Sequence, residues 1–300
     1  MSWKKRGLVF NPVEQSDWMF SHASNPIAEH QAGDIFKIYF SCRNKKQNAS
    51  VGYVVVDVTR PGDILEIAAE PVVDRGQPGY FDDSGVSAGC FVHLEDGQRY
   101  FYYLGWNLCV TVPFHNSIGL AISAKPGAPF VKHTRAAIMD RDPEDPLSIS
   151  YPWVLKAGPR WQMWYGSHEC WQNGKHEMLH VLKYAESDDG IHWKRLGKVA
   201  FPLDAETEYA VSRPCVLKNG SGYKMWYSFR GSKYRIGYAE SDDGLSWQRR
   251  DDQVGIDVSD SGWDSEAVSY ASVFAHNGQL FMLYNGNGYG RTGFGLASLD

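Results

Sequence analysis

Tyr184-Ala185-Glu186-Ser187-Asp188-Asp189-Gly190-Ile191-His192-Trp193 returns almost unchanged as Tyr238-Ala239-Glu240-Ser241-Asp242-Asp243-Gly244-Leu245-Ser246-Trp247. In each copy a strand-like run enters an Asp-Gly turn, and the next strand opens on Trp. The glycine supplies the positive φ that a tight hairpin turn demands. Weaker copies of the run are Gly52-Tyr53-Val54-Val55-Val56-Asp57, Gly119-Leu120-Ala121-Ile122-Ser123 and Gly295-Leu296-Ala297-Ser298. Upstream of each lies an aromatic strand: Ile38-Tyr39-Phe40-Ser41, Tyr102-Tyr103-Leu104-Gly105, Met163-Trp164-Tyr165-Gly166, Met225-Trp226-Tyr227-Ser228 and Met282-Leu283-Tyr284-Asn285. Upstream again comes a short strand with a small or polar lead-in: Ser24-Asn25-Pro26, Ser87-Ala88-Gly89, Ser150-Tyr151-Pro152, Ser212-Arg213-Pro214 and Ser269-Tyr270-Ala271. The chain thus repeats with a period of about 60 residues, in the range of propeller units.

Each repeat supplies an inner, a middle and a third strand. The first four continue into an outer strand, whereas the fifth stops at Asp300. The missing strand is found at the other end. Trp3-Lys4-Lys5-Arg6-Gly7-Leu8-Val9-Phe10-Asn11-Pro12 resembles Trp193-Lys194-Arg195-Leu196-Gly197-Lys198-Val199-Ala200-Phe201-Pro202, the outer strand of the third repeat. The pattern predicts an all-β fold, a five-bladed β-propeller forming one domain over residues 1–300. Its ring is closed by the N-terminal strand, with Lys4 to Phe10 pairing with Phe294 to Leu299. Closure leaves only short, protected strand edges. An open β-sandwich is the alternative, but it leaves the displaced strand without a reason.

Composition narrows the function. Aromatic residues make up 14% of the chain, with 11 Trp and 17 Tyr. Flat pleated surfaces favour such rings, and so do sugar faces; most of these rings are expected in the core. The net charge is −5 and no long run carries one sign, so neither nucleic acid nor a membrane surface is an expected partner. The basic start at Lys4-Lys5-Arg6 runs into Asn11-Pro12 before an apolar segment can develop, which argues against a signal peptide. Five cysteines, Cys42, Cys90, Cys109, Cys170 and Cys215, share no metal-ligand spacing and are expected as buried, reduced thiols of a cytoplasmic protein. His168, His176, His180 and His192 form no recognisable zinc motif, and there is no nucleophile elbow or phosphate loop, so no metal or cofactor is expected.

In a propeller the starts of the inner strands converge on a central funnel, far apart though they are in sequence. The candidates there are His22, Ser24 and Asn25; Asp82, Asp83 and Ser87; Ser150 and Tyr151; Glu206, Glu208, Ser212 and Arg213; and Asp264, Glu266 and Tyr270. The ends of the middle strands add Arg43, Trp106, His168, Glu169, Arg230 and Asn285. Asp82, Asp83, Glu208 and Glu266 are the acid/base candidates. His22, Asn25, Arg43, Trp106, Tyr151, His168, Glu169, Arg213, Arg230 and Tyr270 are the substrate-binding candidates. Several also have a structural reading. Asp82-Asp83-Ser84-Gly85 suits a simple turn. Arg213 and Arg230 could neutralise Glu208 and Glu266, since buried charges need partners.

The five-fold pattern, the Ser-Asp-Asp-Gly-x-x-Trp turns and the Met-Trp-Tyr strands resemble the five-bladed superfamily of glycoside hydrolase families 32, 43, 62, 68, 117 and 130. The resemblance spans the chain. Trp18-Met19-Phe20-Ser21-His22-Ala23-Ser24-Asn25-Pro26 is similar to the invertase-type Trp-Met-Asn-Asp-Pro motif, but Asn25 stands where that motif has its first-blade carboxylate. The lead-in that usually holds the fourth-blade acid is here Ser212-Arg213-Pro214. The resemblance implies a carbohydrate-active enzyme that cleaves or transfers a glycosidic linkage. The displaced carboxylates and the arginines point to phosphate or an anionic sugar as the small-molecule partner. A propeller that binds carbohydrate, or assists polysaccharide biosynthesis, without catalysis is the alternative. A protein-interaction propeller is a weaker third.

Overall fold

The computed structural model describes residues 1–171, 178–204 and 206–300. The N-terminal strand is β1 (Trp3–Phe10). The first repeat forms β2 (Ser21–Ala32), β3 (Ile35–Arg43), β4 (Ala49–Asp57) and β5 (Ile64–Ile67). The second forms β6 (Gly85–His93), β7 (Arg99–Leu108), β8 (Phe114–Ser123) and β9 (Val131–Lys132). The third forms β10 (Ile149–Ala157), β11 (Arg160–Trp171), β12 (Met178–Ser187) and β13 (Lys194–Val199). The fourth forms β14 (Ala210–Asn219), β15 (Gly222–Arg230), β16 (Tyr234–Ser241) and β17 (Gln248–Arg249). The fifth forms β18 (Ser269–His276), β19 (Gln279–Asn285) and β20 (Phe294–Leu299).

Within each repeat the strands form an antiparallel meander. The first two meanders join through a single parallel pair, Ala49 with Gly85, into an eight-stranded sheet. The third and fourth join in the same way through His180 and Ala210. The last sheet is four-stranded, in the order β1-β20-β19-β18. As expected from the sequence, β1 pairs antiparallel with β20, from Trp3 opposite Leu299 to Phe10 opposite Phe294. The inner strands touch in cyclic order: β2 contacts β6, β6 contacts β10, β10 contacts β14, β14 contacts β18, and β18 contacts β2. Aromatic and aliphatic side chains fill the space between meanders, as with Trp164 and Trp226, neither of which reaches solvent.

The repeated turns are structural. Ser241 Oγ accepts the Gly244 amide, and Asp243 Oδ1 accepts those of Leu245 and Ser246. Gly244 lies at φ 76°, and its carbonyl accepts the indole N–H groups of Trp164 and Trp247. Ser187, Asp189 and Gly190 repeat the arrangement, with Tyr102 donating to the Gly190 carbonyl. The turn therefore locks one meander onto the next.

A second device also recurs, and it explains several carboxylates. In four repeats a middle-strand tyrosine donates to a buried or half-buried aspartate that also meets a cation from the same meander. The sets are Tyr103–Asp82–Lys132, Tyr165–Asp145–Arg195, Tyr227–Asp251–Arg249 and Tyr284–Asp264–Lys5. The cation comes from the outer strand each time, which in the last sheet is β1. Asp145 is fully buried and also takes bonds from Ser167 Oγ at 2.6 Å and Lys183 at 3.2 Å. Asp145→Ala takes the buried acceptor from the Tyr165 hydroxyl and one of two carboxylates from each cation, Arg195 keeping Asp142 at 2.7 Å and Lys183 keeping Glu169 at 3.0 Å. Leaving a buried hydroxyl without its acceptor costs about 1–3 kcal/mol. Urea denaturation should show that loss, and a change below about 1 kcal/mol would deny the set a stabilising role.

The cysteines depart from expectation at two positions. Cys42, Cys90 and Cys215 are buried, but Cys109 and Cys170 are exposed. Both lie at the far ends of middle-strand segments on the rim, where the hairpin connections leave the core.

Candidate functional site

The inner strands share a local distortion. Ser24 pairs with Ser41 and Ile27 with Tyr39, so two residues bulge from β2. The same two-residue bulge separates Ser150 from Trp153, Ser212 from Cys215, and Ser269 from Ser272. The residue after each serine has positive φ: Asn25 at 54°, Tyr151 at 45°, Arg213 at 53° and Tyr270 at 56°. Asn tolerates this region, whereas Tyr and Arg enter it at a cost. Such outliers mark positions where the surrounding structure imposes a geometry, often for function. Neighbouring middle strands satisfy the freed amides. Asn285 Oδ1 accepts from Asn25 N–H, Ser41 Oγ from Ala88 N–H, and Ser228 Oγ from Tyr270 N–H.

Three of the four bulged side chains line a cavity of about 540 Å³. That size falls within the range of small-molecule sites. The first repeat contributes His22, Ser24, Asn25, Ser41, Arg43, Lys46, Gln47 and Asn48. The second contributes Ser87, Trp106, Phe114 and Asn116, and the third Tyr151, Met178 and His180. The fourth contributes Tyr209, Arg230 and Tyr234, and the fifth Tyr270 and Tyr289. Tyr270 stands 5.7 Å from Tyr151 and 5.6 Å from Tyr234, ring centre to ring centre, and builds an aromatic floor. The Arg230 guanidinium lies over three rings, at 5.1 Å from Tyr209 and 5.3 Å from both Tyr234 and Tyr289.

The site is cationic. Arg43, Lys46 and Arg230 face it, and among the described residues no Asp or Glu lines it. The histidines are neutral at ordinary pH. Burial, then Arg43 and Arg291, lowers His22 to about 4, and burial with Arg230 lowers His180 to about 4. Burial raises the phenols of Tyr151, Tyr234 and Tyr270, so these also stay neutral. The lowered histidines carry a stability consequence. In the unfolded chain both protonate near 6.5, so between pH 6.5 and 4 the unfolded state binds more protons. Stability is present above about 6.5 and is lost as pH falls toward 4. At about pH 5 each histidine accounts for roughly 2 kcal/mol. Denaturation at about pH 7 and about pH 5 should show a smaller loss in His22→Gln than in the parent, and an equal loss would contradict the assignment.

Of the substrate-binding candidates, the structure gathers His22, Asn25, Arg43, Trp106, Tyr151, Arg230 and Tyr270 around the cavity. It places three elsewhere. His168 is buried behind His180, with ring centres 4.0 Å apart and Nε2 3.3 Å from Ser150 Oγ. Glu169 is exposed and pairs with Lys183 at 3.0 Å. Arg213 is fully buried beneath the floor.

None of the four acid/base candidates lines the cavity. Asp82 is buried in its Tyr103–Lys132 set. Asp83 is a turn residue. Burial opposes its charge, but the Gly79 amide, Asn107 and Ser84 hold its carboxyl below the usual range. Glu208 makes a two-pronged pair with Arg249, at 2.6 and 2.8 Å. Glu266 is exposed beside Lys233, at 3.0 Å, in a side depression of about 170 Å³. The glutamates thus take Arg249, Lys233 and Lys183 as partners. Among the described residues no group of three or more His, Cys, Asp or Glu side chains is placed to hold a metal ion; His176 lies outside them.

The strand-end pattern does not mark Lys46, Asn48, Phe114, Asn116, His180, Tyr209, Tyr234 and Tyr289, which also line the cavity. Most stand at or near starts of third strands, directly across hairpins from the middle-strand ends. Asn116 pairs with Trp106, His180 with His168, and Tyr234 with Arg230. Hairpin register carried that signal. Tyr289 had none, because it sits in the turn Asn287–Gly290 at φ 61°.

No family model matches the chain. Two relatives from Mycobacterium tuberculosis, "Uncharacterized protein MT1551" of strain CDC 1551 and "Uncharacterized protein Rv1502" of strain H37Rv, are each 48% identical over 300 residues, covering 100% of both chains. Solved structures share the fold at low identity. A BT0996 RGII complex matches with a TM-score of 0.79 at 18% identity, over 99% of this chain and 91% of that one. A thermostable family-43 glycoside hydrolase matches at 0.66 and 18%, over 93% and 89%. The Bombyx mori GH32 β-fructofuranosidase BmSUC1 matches at 0.63 and 15%, over 93% and 61%.

Proposed function

We propose that this chain, which belongs to the family of the two mycobacterial proteins and carries the propeller glycoside hydrolase fold, binds a carbohydrate bearing an anionic group in its central funnel. One observation carries the reading: the funnel combines an aromatic floor with three cations and, among the described residues, no carboxylate. Rings stack on sugar faces, amides such as Asn25 and Asn116 match hydroxyls, and guanidinium groups match carboxylate or phosphate. The reading takes the fold as one five-bladed ring. The β1–β20 pairing, the Asn285–Asn25 bond and the cyclic contacts of the inner strands support it.

Hydrolysis by a carboxylate pair needs two acids roughly 5–10 Å apart across the scissile bond. Asn25 cannot ionise, and the nearest sequence candidates are tied into structural pairs. The funnel is therefore proposed as a binding site without that machinery. A phosphorolytic reaction is the second reading, favoured by the same cations, since phosphate would itself be the nucleophile. A panel of aryl glycosides, uronates, sugar phosphates and neutral sugars, each with and without inorganic phosphate, separates these. The expected result is affinity for the anionic members and no release of aryl alcohol. Turnover that requires phosphate would select the second reading. Rapid phosphate-independent hydrolysis, or affinity for neutral sugars alone, would overturn the first.

A further inference from the structure

Among the described residues, Arg213 is the largest buried charge with no ionic partner. Its side chain has no exposure. Nη1 donates to the Gly89 carbonyl at 2.9 Å, and the guanidinium lies 5.9 Å from the Trp153 ring centre. Nε and Nη2 are buried and meet no acceptor among the described residues, and the preceding Ser212 hydroxyl is buried and unpartnered too. Other buried cations are matched: Arg99 with Glu29, Arg195 with Asp145 and Lys183 with Asp145.

Among the described residues, the groups that act most strongly on Arg213 bring no negative charge. They are the thiols of Cys90 and Cys215 and the phenols of Tyr151 and Tyr270. Burial pushes both thiols up to about 12 and raises both phenols, so all four remain neutral. The sulfurs are also occupied, accepting the Val154 and Val273 amides at 3.1 Å. A guanidinium does not shed its proton in a protein. An enclosed charge without a counter-charge is strongly unfavourable.

We propose that a small monovalent anion of halide size binds against Nε and Nη2 of Arg213, beneath the floor made by Tyr151 and Tyr270. Arg213 has no exposure, so a sugar in the cavity does not reach it. Water could meet the N–H groups but would leave the charge unbalanced. The site is separate from Arg43, Lys46 and Arg230, so it stands whether or not the funnel takes a sugar.

Bromide-soaked crystals measured at the bromine edge, together with thermal unfolding in sodium chloride, bromide and gluconate at matched ionic strength, test the site. The expected result is an anomalous peak beside Arg213 and a melting temperature that rises with halide but not with gluconate. Above the dissociation constant, each tenfold rise in halide raises the folded-to-unfolded ratio about tenfold. Arg213→Met should abolish the halide dependence, and Arg213→Lys should keep part of it. If Arg213→Met does not fold, the parent's titration and the anomalous map still decide. No bromide peak, or equal melting in halide and gluconate, overturns the proposal. A peak without any effect on melting marks an adventitious ion only, and overturns it as well.

Discussion

Removal of residues 1–12 should leave a chain without a cooperative unfolding transition. Trp3 and Phe10 are 7% exposed, and Trp3 packs edge-on against Trp226 at 6.2 Å. Losing the burial of each costs roughly 1.5–3 kcal/mol. Asp264, 2% exposed, loses Lys5 at 2.7 Å. Lys5 is itself 25% exposed, so solvent screening reduces that share to about 2 kcal/mol. The ladder to β20 is also lost, leaving an open edge in the last sheet. The sum rivals the roughly 5–15 kcal/mol that holds a typical domain together. Circular dichroism during heating and urea titration is the measurement. Lys5→Ala should retain a sharp transition at a lower midpoint. A truncated chain that melts within a few degrees of the parent would show that the fold is complete without β1.

Arg43→Gln should weaken binding of a uronate or sugar phosphate by roughly ten- to a hundredfold. Arg43 is half-buried on the cavity wall, and its contact with Gln47 Oε1 is a long one, at 3.5 Å. A charge-assisted bond to an oxyanion is worth roughly 1.5–3 kcal/mol, which is the stated range in affinity. Glutamine keeps hydrogen-bonding capacity and removes the charge. Affinity for the matching neutral sugar should therefore change by less than about threefold. Arg230→Gln should show the same selectivity, together with a lower melting point, because its guanidinium also lies over three tyrosine rings. Isothermal titration with paired ligands, such as glucuronate against glucose, provides the readout. Equal losses for charged and neutral sugars would assign Arg43 to the shape of the wall and not to charge recognition.

The repeat made the strand plan legible. A Ser-Asp-Asp-Gly turn is a local object, and its hydrogen bonds run between residues two or three apart. Alternation along each strand and the Trp3–Pro12 likeness were enough to pair β1 with β20, because outer strands share one pattern of cations and apolar residues. Lys5, Lys132, Arg195 and Arg249 show what that pattern serves: each meets an aspartate of its own meander.

Side-chain direction was not legible. Asn25, Tyr151, Arg213 and Tyr270 occupy the same bulge, yet three face the cavity and Arg213 lies sealed below it. Asp82 and Glu208 looked like acids at strand starts, but their partners Lys132 and Arg249 lie 50 and 41 residues further along the chain. Sequence determined the repeat, the turns and the strand order, since each depends on local chemistry and the period of the chain. Tertiary structure alone decided which charges hold meanders together and which face the cavity. That division depends on distances between side chains brought together from different repeats, and no spacing along the chain encodes it.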